Sequence, residues 1–580
     1  MRWGPELLDG GRARFRLWAP DREAVALELE GRDSLPMSRV GDGWFEVEAE
    51  AMPGTRYRFG LIETSSSSRA EPEMTELVIP DPASHQQSGG VHGWSVLTDP
   101  ALYRWRNADW RGRPWEEMVI EEVHAGVLGG FAGIAERLPQ LAELGITAVQ
   151  LMPVAAFGGS RNWGYDGVLP FAVAEAYGSP DELKALVDRA HELGLSVFLD
   201  VVYNHFGPDG NYLGAYASSF FNEHADTPWG GAVAVSREPV RRFFIDNALM
   251  WLGEYRVDGL RFDAVHAIAD DGFLDEMAQE IRVALPDRHV HLVLENERND
   301  PERLQPGLYN AQWNDDFHNV LHVLLTGEDE AYYRGFSDAP TEKLARCLAE
   351  GFIYQGETAP GSDHPRGGPS GDLPATRFIS FLQNHDQVGN RALGERLTVL
   401  VDAERLRAAT ALLLLCPQIP LLFMGDTDGS RSPFLFFTDF DDDLAEAVRK
   451  GRRAEFAGFA AFADETARER IPDPNAPATF ERSKSEPGPD APEWRAFYKQ
   501  LLTIRHEHIT PRLAGARGLG AEVLGDKAAA ARWRMADGAE LHVALNLGSD
   551  SVAFPSGEAE PLFSLGEAGK PGSLRAWINA

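Results

Sequence analysis

The feature that most constrains the fold is an alternation of short apolar runs with longer amphipathic ones. It begins at about residue 116 and recurs eight times. Continuous apolar runs suit strands buried on both faces, as parallel sheets require. The candidate strands are Met118–His124, Thr147–Met152, Ser196–Tyr203, Val257–Asp263, His291–Glu295, Leu308–Trp313, Phe378–Asn384 and Pro420–Met424. Helix signals lie between them. Ile134–Leu144 runs into Gly145, a residue suited to the left-handed turn that closes a helix. Ser179-Pro180-Asp181-Glu182 offers a capping serine followed by proline at the first helical position. Eight such units over roughly 340 residues predict a (β/α)8 barrel. No Gly-rich phosphate loop follows any strand, which argues against an open dinucleotide-binding sheet.

The flanks read differently. Ala13–Pro20, Ala24–Leu29, Gly43–Val47 and Gly54–Phe59 alternate polar with apolar residues between turn signals, which predicts a small immunoglobulin-like β-sandwich. The Ser65–Ser68 run reads as a loop tip. After about residue 490 come a helix, Glu493–His506, and alternating strands such as Ala529–Met535 and Glu540–Leu547. A chain of 580 residues exceeds one compact core. Three domains are therefore expected: an N-terminal sandwich over 1–95, a catalytic barrel over 96–490, and a C-terminal helix with a small β-sandwich over 491–580.

Charge narrows the class of partner. A net charge of −34 disfavours nucleic acid and anionic membrane and fits a soluble protein with a neutral ligand. Cys347 and Cys416, the two cysteines, sit in helix-like apolar stretches and read as packing residues, which favours a reducing cytoplasm. No apolar h-region follows Met1. The longest apolar run, Ala408–Met424, contains Pro417 and Pro420 and does not suit a membrane span. Monomer and homodimer both stay open.

Residues at the C-terminal ends of barrel strands face the mouth, and the polar clusters fall there. The third strand runs out through Asp200-Val201-Val202-Tyr203-Asn204-His205, the fourth through Arg261 and Asp263, the fifth at Glu295, and the seventh through Asn384-His385-Asp386-Gln387. Arg261 and Asp263, two apart on a strand, share a face. A guanidinium favours the charged form of a neighbouring carboxyl, which suits a nucleophile. Glu295 ends an apolar strand with no adjacent base in sequence, so desolvation is expected to raise its pKa. Retaining glycoside hydrolysis needs one charged and one neutral carboxyl about 5–5.5 Å apart. A metal site would want His pairs at i, i+4 or a dense acidic loop, and neither is evident. Taken singly, each acid reads as a solvated strand-end charge; the ordered set reads as a glycosidase.

Asp200-Val201-Val202-Tyr203-Asn204-His205, Arg261-Phe262-Asp263, Glu295-Asn296 and Asn384-His385-Asp386 resemble the four ordered regions of the α-amylase superfamily, glycoside hydrolase family 13. The resemblance implies Asp263 as nucleophile, Glu295 as general acid/base and Asp386 as transition-state stabiliser. It implies Arg261, His205 and His385 as sugar-holding residues, with Tyr165 as the aromatic platform. Asp263–Ile268, Glu295–Asn299, Gln312–His318, Asn384–Arg391, Thr227–Gly230, Pro433–Asp439 and Gly451–Phe456 are similar, more narrowly, to maltooligosyltrehalose trehalohydrolases. That likeness implies cleavage of the α-1,4 bond next to the trehalose end of maltooligosyl trehalose, with retention and with no organic cofactor or required metal. His266, Trp229, Asp315, Asp316, His318, Gln387 and Asn390 enter on the same basis as substrate-binding residues.

Two segments depart from the pattern: 125–130 after the first strand and Gly425-Asp426-Thr427-Asp428-Gly429 after the eighth. Both are expected on the barrel mouth, where they would shape substrate subsites. Asp441-Asp442-Asp443 reads as a solvated helix start. Two alternatives stand beside the trehalohydrolase reading: an α-glucan branching or debranching enzyme, and a non-catalytic glucan-binding protein.

Overall fold

The computed structural model describes residues 3–64, 74–227, 230–269, 271–462, 464–557 and 559–579. The Ser65–Ser68 run and Trp229 lie outside these described residues.

Eight parallel strands close into a barrel in sequence order: Ile120–Val123, Ala148–Leu151, Ser196–Val201, Gly259–Phe262, His291–Leu294, Ala311–Trp313, Phe378–Ser380 and Ile419–Phe423. The first pairs with the last, Ile120 opposite Leu421. Every residue of all eight is buried, which is why the runs are mainly apolar rather than alternating; Glu121, Glu122, Asp200 and Arg261 are charged exceptions. Ile120, Ala148, Phe198, Val293, Ala311, Trp313, Ile379, Ile419 and Leu421 pack together as the barrel's inner plug. Side chains alternate along a strand, so Glu122 and Asp200, two residues past Ile120 and Phe198, share the inward face nearer the mouth. All but the sixth strand, which ends with its run at Trp313, end one or more residues before their apolar runs do, where the chain bends into the mouth.

The helices begin and end as their sequence signals require. Ser179 closes a capping box with Glu182 at the start of Pro180–Glu192, and Gly145, in the left-handed region, ends Gly130–Leu144. Asp442–Glu455 starts at Asp441 with Asp442 and Asp443 in its first turn. No described helix is long and apolar enough to cross a membrane, and Cys347 and Cys416 are free and buried.

The N-terminal strands form two sheets. Arg12–Trp18 and Trp44–Glu50 are central in one, Ala24–Leu29 and Arg56–Thr64 in the other. Ala13, Phe15 and Leu17 are wholly buried, whereas Arg12, Arg14 and Arg16 point outward and pair with Glu6, Glu46 and Glu48. Phe15 meets Tyr57 of the other sheet with ring centroids 4.8 Å apart. Trp3 ties this unit to the barrel: its ring packs on Phe243 at 4.9 Å and its Nε1 donates to the Pro239 carbonyl over 2.8 Å.

At the other end, helix Ala491–Ile504 leads to one five-stranded sheet over Arg517–Asn579. Among the described residues the expected C-terminal sandwich is therefore a single sheet. Helices Pro340–Glu350 and Ala403–Leu415 lie against it, so its apolar face is covered by helices and needs no second sheet.

Candidate active site

The site is built around Arg261, fully buried on the inward face of the fourth strand. Its guanidinium lies over the Trp313 ring, 4.2 Å from the centroid. Nη1 donates to both oxygens of Asp200, at 2.9 and 2.7 Å, and to Oδ1 of Asp263 at 2.8 Å. Nη2 stands 3.3 Å from Oε2 of Glu295. One cation thus touches three acids from three strands. The sequence assigned Glu295 no adjacent base, and that expectation is corrected: Arg261 reaches it across the barrel, because neighbouring parallel strands pair Arg261 with Val293, two residues before Glu295.

Asp263 sits at a bend. The next residue, Ala264, adopts φ 41°, ψ 47°, a left-handed conformation that costs a non-glycine residue about 1–2 kcal/mol. The bend aims the Ala264 N–H at Oε2 of Glu295, and the Val265 N–H donates to the Glu295 carbonyl over 3.0 Å. Asn204 donates to Oδ2 of Asp263 over 2.9 Å, so each oxygen of that carboxylate has its own donor. Burial drives the Glu295 carboxyl up to about 8; Arg261 opposes the shift, and Asp263, Asp315 and Asp386 add to it. The two carboxyl groups, one of them raised by burial, thus meet on the same guanidinium.

The remaining residues gather around this pair. Tyr165 lies in a turn where Asn162 accepts from Gly164 N over 2.7 Å and donates to Asp166 over 2.6 Å. Gly164 has φ +107°, and a Cβ there would stand 2.3 Å from the Pro153 carbonyl oxygen, so only glycine fits. The Tyr165 hydroxyl donates to Asp200 over 2.7 Å, and its ring stacks on His385 with centroids 5.1 Å apart. His205 pairs with Asn204 through Nδ1, and its Nε2 lies 3.1 Å from the Tyr165 carbonyl. Asn390 donates to Asp386 over 3.1 Å, and Gln387 to Asp315 over 3.3 Å. Burial raises Asp315 to about 6, opposed by Arg366 and reinforced by Asp386 and Asp316. His266 stands at the edge, 3.5 Å from Glu297.

Two residues expected to bind substrate face elsewhere. Asp316 is fully buried and takes hydrogen bonds from Asn299 (2.9 Å), Ile353 N (2.7 Å) and Tyr354 N (3.4 Å), with Arg366 at 3.1 Å. It anchors the segment that follows helix Pro340–Glu350. His318, also buried, sets its Nδ1 2.5 Å from the Leu382 carbonyl and its Nε2 3.4 Å from Tyr333. Both lie in helix Asp315–Thr326, whose first turn can present only part of itself to the mouth. Conversely, Asp200, Asn204, Trp313 and Glu122 belong to the site without having been singled out as members of it. Glu122 carries a readable signal, a charge two residues past Ile120 and so on the same inward face of a buried strand.

Residues 102–229 match the catalytic domain of the alpha-amylase family, and 516–577 match a domain of unknown function, DUF3459. The malto-oligosyltrehalose trehalohydrolase of Deinococcus radiodurans is 42% identical over 522 residues, covering 87% of this chain and 83% of its own. That of Saccharolobus solfataricus is 38% identical, with 86% of each chain covered. The chain belongs to the malto-oligosyltrehalose trehalohydrolase family. Among solved structures, a Salmonella typhimurium protein assigned as an alpha amylase superposes with TM-score 0.92 at 44% identity, over 100% of this chain and 99% of its own. An Anoxybacillus pullulanase, 17% identical with TM-score 0.73 over 100% of this chain and 87% of its own, shares the fold.

In this member of the trehalohydrolase family the 425–429 segment is not open to the mouth. Asp426, Thr427 and Asp428 are buried. Asp428 pairs with Arg495 over 2.6 Å, and a Cβ on Gly429, at φ +56°, would stand 2.2 Å from the Trp494 ring. The departure in sequence therefore forms the seam between the barrel and helix Ala491–Ile504, which corrects its expected role in a subsite. The 125–130 segment folds back just as closely. Ala125 and Val127 are buried, and the Val127 N–H donates to His124 over 3.2 Å.

Proposed function

We propose that the chain is a retaining glycosidase that cleaves the α-1,4 bond next to the trehalose end of maltooligosyl trehalose, releasing trehalose and a maltooligosaccharide. The observation that carries this reading is the meeting of Asp263 and Glu295 on one guanidinium, that of Arg261. Glu295, pushed up to about 8 by burial, holds the proton that a leaving glycosidic oxygen needs. Asp263, fixed by Arg261 and Asn204 at its two oxygens, presents a lone pair to the anomeric carbon. Glu295 protonates the oxygen as Asp263 bonds to carbon. Water then breaks the glycosyl ester, with Glu295 taking the water's proton. Asp386, oriented by Asn390, binds sugar hydroxyls more tightly as the ring flattens. His205, His266, His385, Tyr165, Asp315 and Gln387 are assigned to sugar contact.

Free, buried cysteines and a net charge of −34 support a cytoplasmic enzyme of trehalose synthesis. Incubation with maltooligosyl trehalose and, separately, with plain maltooligosaccharide tests the proposal. Trehalose from the first, formed far faster than glucose or maltose from the second, is expected. New α-1,6 branches, cleavage of α-1,6 bonds or no turnover would refute it.

A further inference from the structure

The ring of His385 is held from two sides. Its Nδ1 lies 2.8 Å from Oε1 of Glu122, and its backbone N–H donates to Oε2 of the same residue over 2.9 Å. Its Nε2 lies 2.8 Å from the Tyr165 hydroxyl. Tyr165 gives its one hydroxyl proton to Asp200 over 2.7 Å, so toward His385 that oxygen offers only lone pairs. Both ring nitrogens therefore face acceptors. A ring satisfied on both sides carries two N–H groups and a positive charge.

Glu122 has no other visible employment. It is fully buried on the first strand, and among the described residues both hydrogen bonds its carboxylate takes come from His385. Its position repeats a familiar logic, in which a buried carboxylate sets the tautomer and plane of an imidazole that works on its other edge. We infer that Glu122 is a positioning residue for the reaction proposed above, fixing the plane and charge of the His385 ring so that its Nε2 edge and Asp386 meet the sugar in one arrangement. The inference rests on the glycosidase reading for its catalytic consequence, and on geometry alone for the Glu122–His385 link.

The groups facing His385 agree with this. Burial by itself would push the ring down, but Asp386 and Glu122 outweigh it, against Arg261, and raise it to about 9. Asp386 Oδ1 stands 3.4 Å from Nε2. Asp200 acts through Tyr165 and is neutralised by Arg261. His124, just past the end of the first strand, is pushed down to about 4 by burial and is neutral.

The test uses the full-length protein labelled with ¹⁵N-histidine, the His385 signals being those absent from His385→Gln. The wild-type ring is expected to be protonated on both nitrogens at neutral pH. In Glu122→Gln, which keeps the shape and removes the charge, its titration should move down by a unit or more. The same variant should lose 10–100-fold in kcat/KM on maltooligosyl trehalose, with near-UV circular dichroism unchanged. A neutral wild-type ring would overturn the inference even if Glu122→Gln fails to fold. So would a folded Glu122→Gln with an unmoved titration, or one with a moved titration and wild-type kcat/KM. If the wild type turns over no substrate while the titration still moves, the glycosidase reading falls and the Glu122–His385 link stands.

Discussion

At the scale of single residues, the chemistry comes down to where protons sit around Arg261. Glu295 and Asp263 share that guanidinium, yet burial raises Glu295 to about 8. The sign for activity follows directly, since Glu295 must carry its proton to act as the acid. Activity should therefore hold at neutral pH and fall roughly tenfold per unit once pH passes about 8. A pH profile of kcat/KM checks this. Glu295→Gln should abolish that limb and slow the natural substrate severely, while a sugar fluoride, which leaves without a proton, should still react with it. Equal loss on both substrates would mean that Glu295 is not the acid. The pairing of Arg261 with Asp263 was legible in sequence because the two are two apart on a strand and share a face. The contact between Arg261 and Glu295 was not, since it depends on the register between strands, which no local pattern records.

At the scale of elements, the barrel was readable because each of its eight strands is buried on both faces and is therefore mainly apolar. Strand ends were less readable, because Asn384 and Asp263 continue a run that the backbone has already left. Helix Asp315–Thr326 shows the remaining difficulty. Asp315, Asp316 and His318 are adjacent in the motif, but one turn of helix sends Asp315 toward Gln387 and Asp386, and Asp316 toward Asn299, Arg366 and Ile353. Asp316→Ala would leave a guanidinium and two backbone N–H groups without their acceptor. It should cost about 3 kcal/mol of unfolding free energy in denaturant titration and leave the alkaline limb of activity in place. A loss of activity at full stability would instead return Asp316 to the substrate site.

At the scale of the whole molecule, several acids are buried at once. Burial raises Glu121 to about 8 and Asp81, Asp200 and Asp426 to about 6, as it raises Glu295. Each binds a proton in the folded chain at a pH where the unfolded chain has released it. Their contribution is thus fully present below the ordinary carboxyl range and lost as pH rises through 6 to 8. His124 and His291, pushed down to about 4, act oppositely, but only below the ordinary histidine value. Melting temperature should therefore fall from pH 6.5 to 9, and Glu121→Gln should flatten the decline; a flat wild-type curve would contradict this. The central claim, that Asp263 and Glu295 grip one glycosidic bond, is tested most directly by mass spectrometry of Glu295→Gln after reaction with an α-maltosyl fluoride. The account predicts a glycosyl adduct on the peptide containing Asp263. An adduct on another carboxylate, or fluoride release without any adduct and with inverted product, would contradict it.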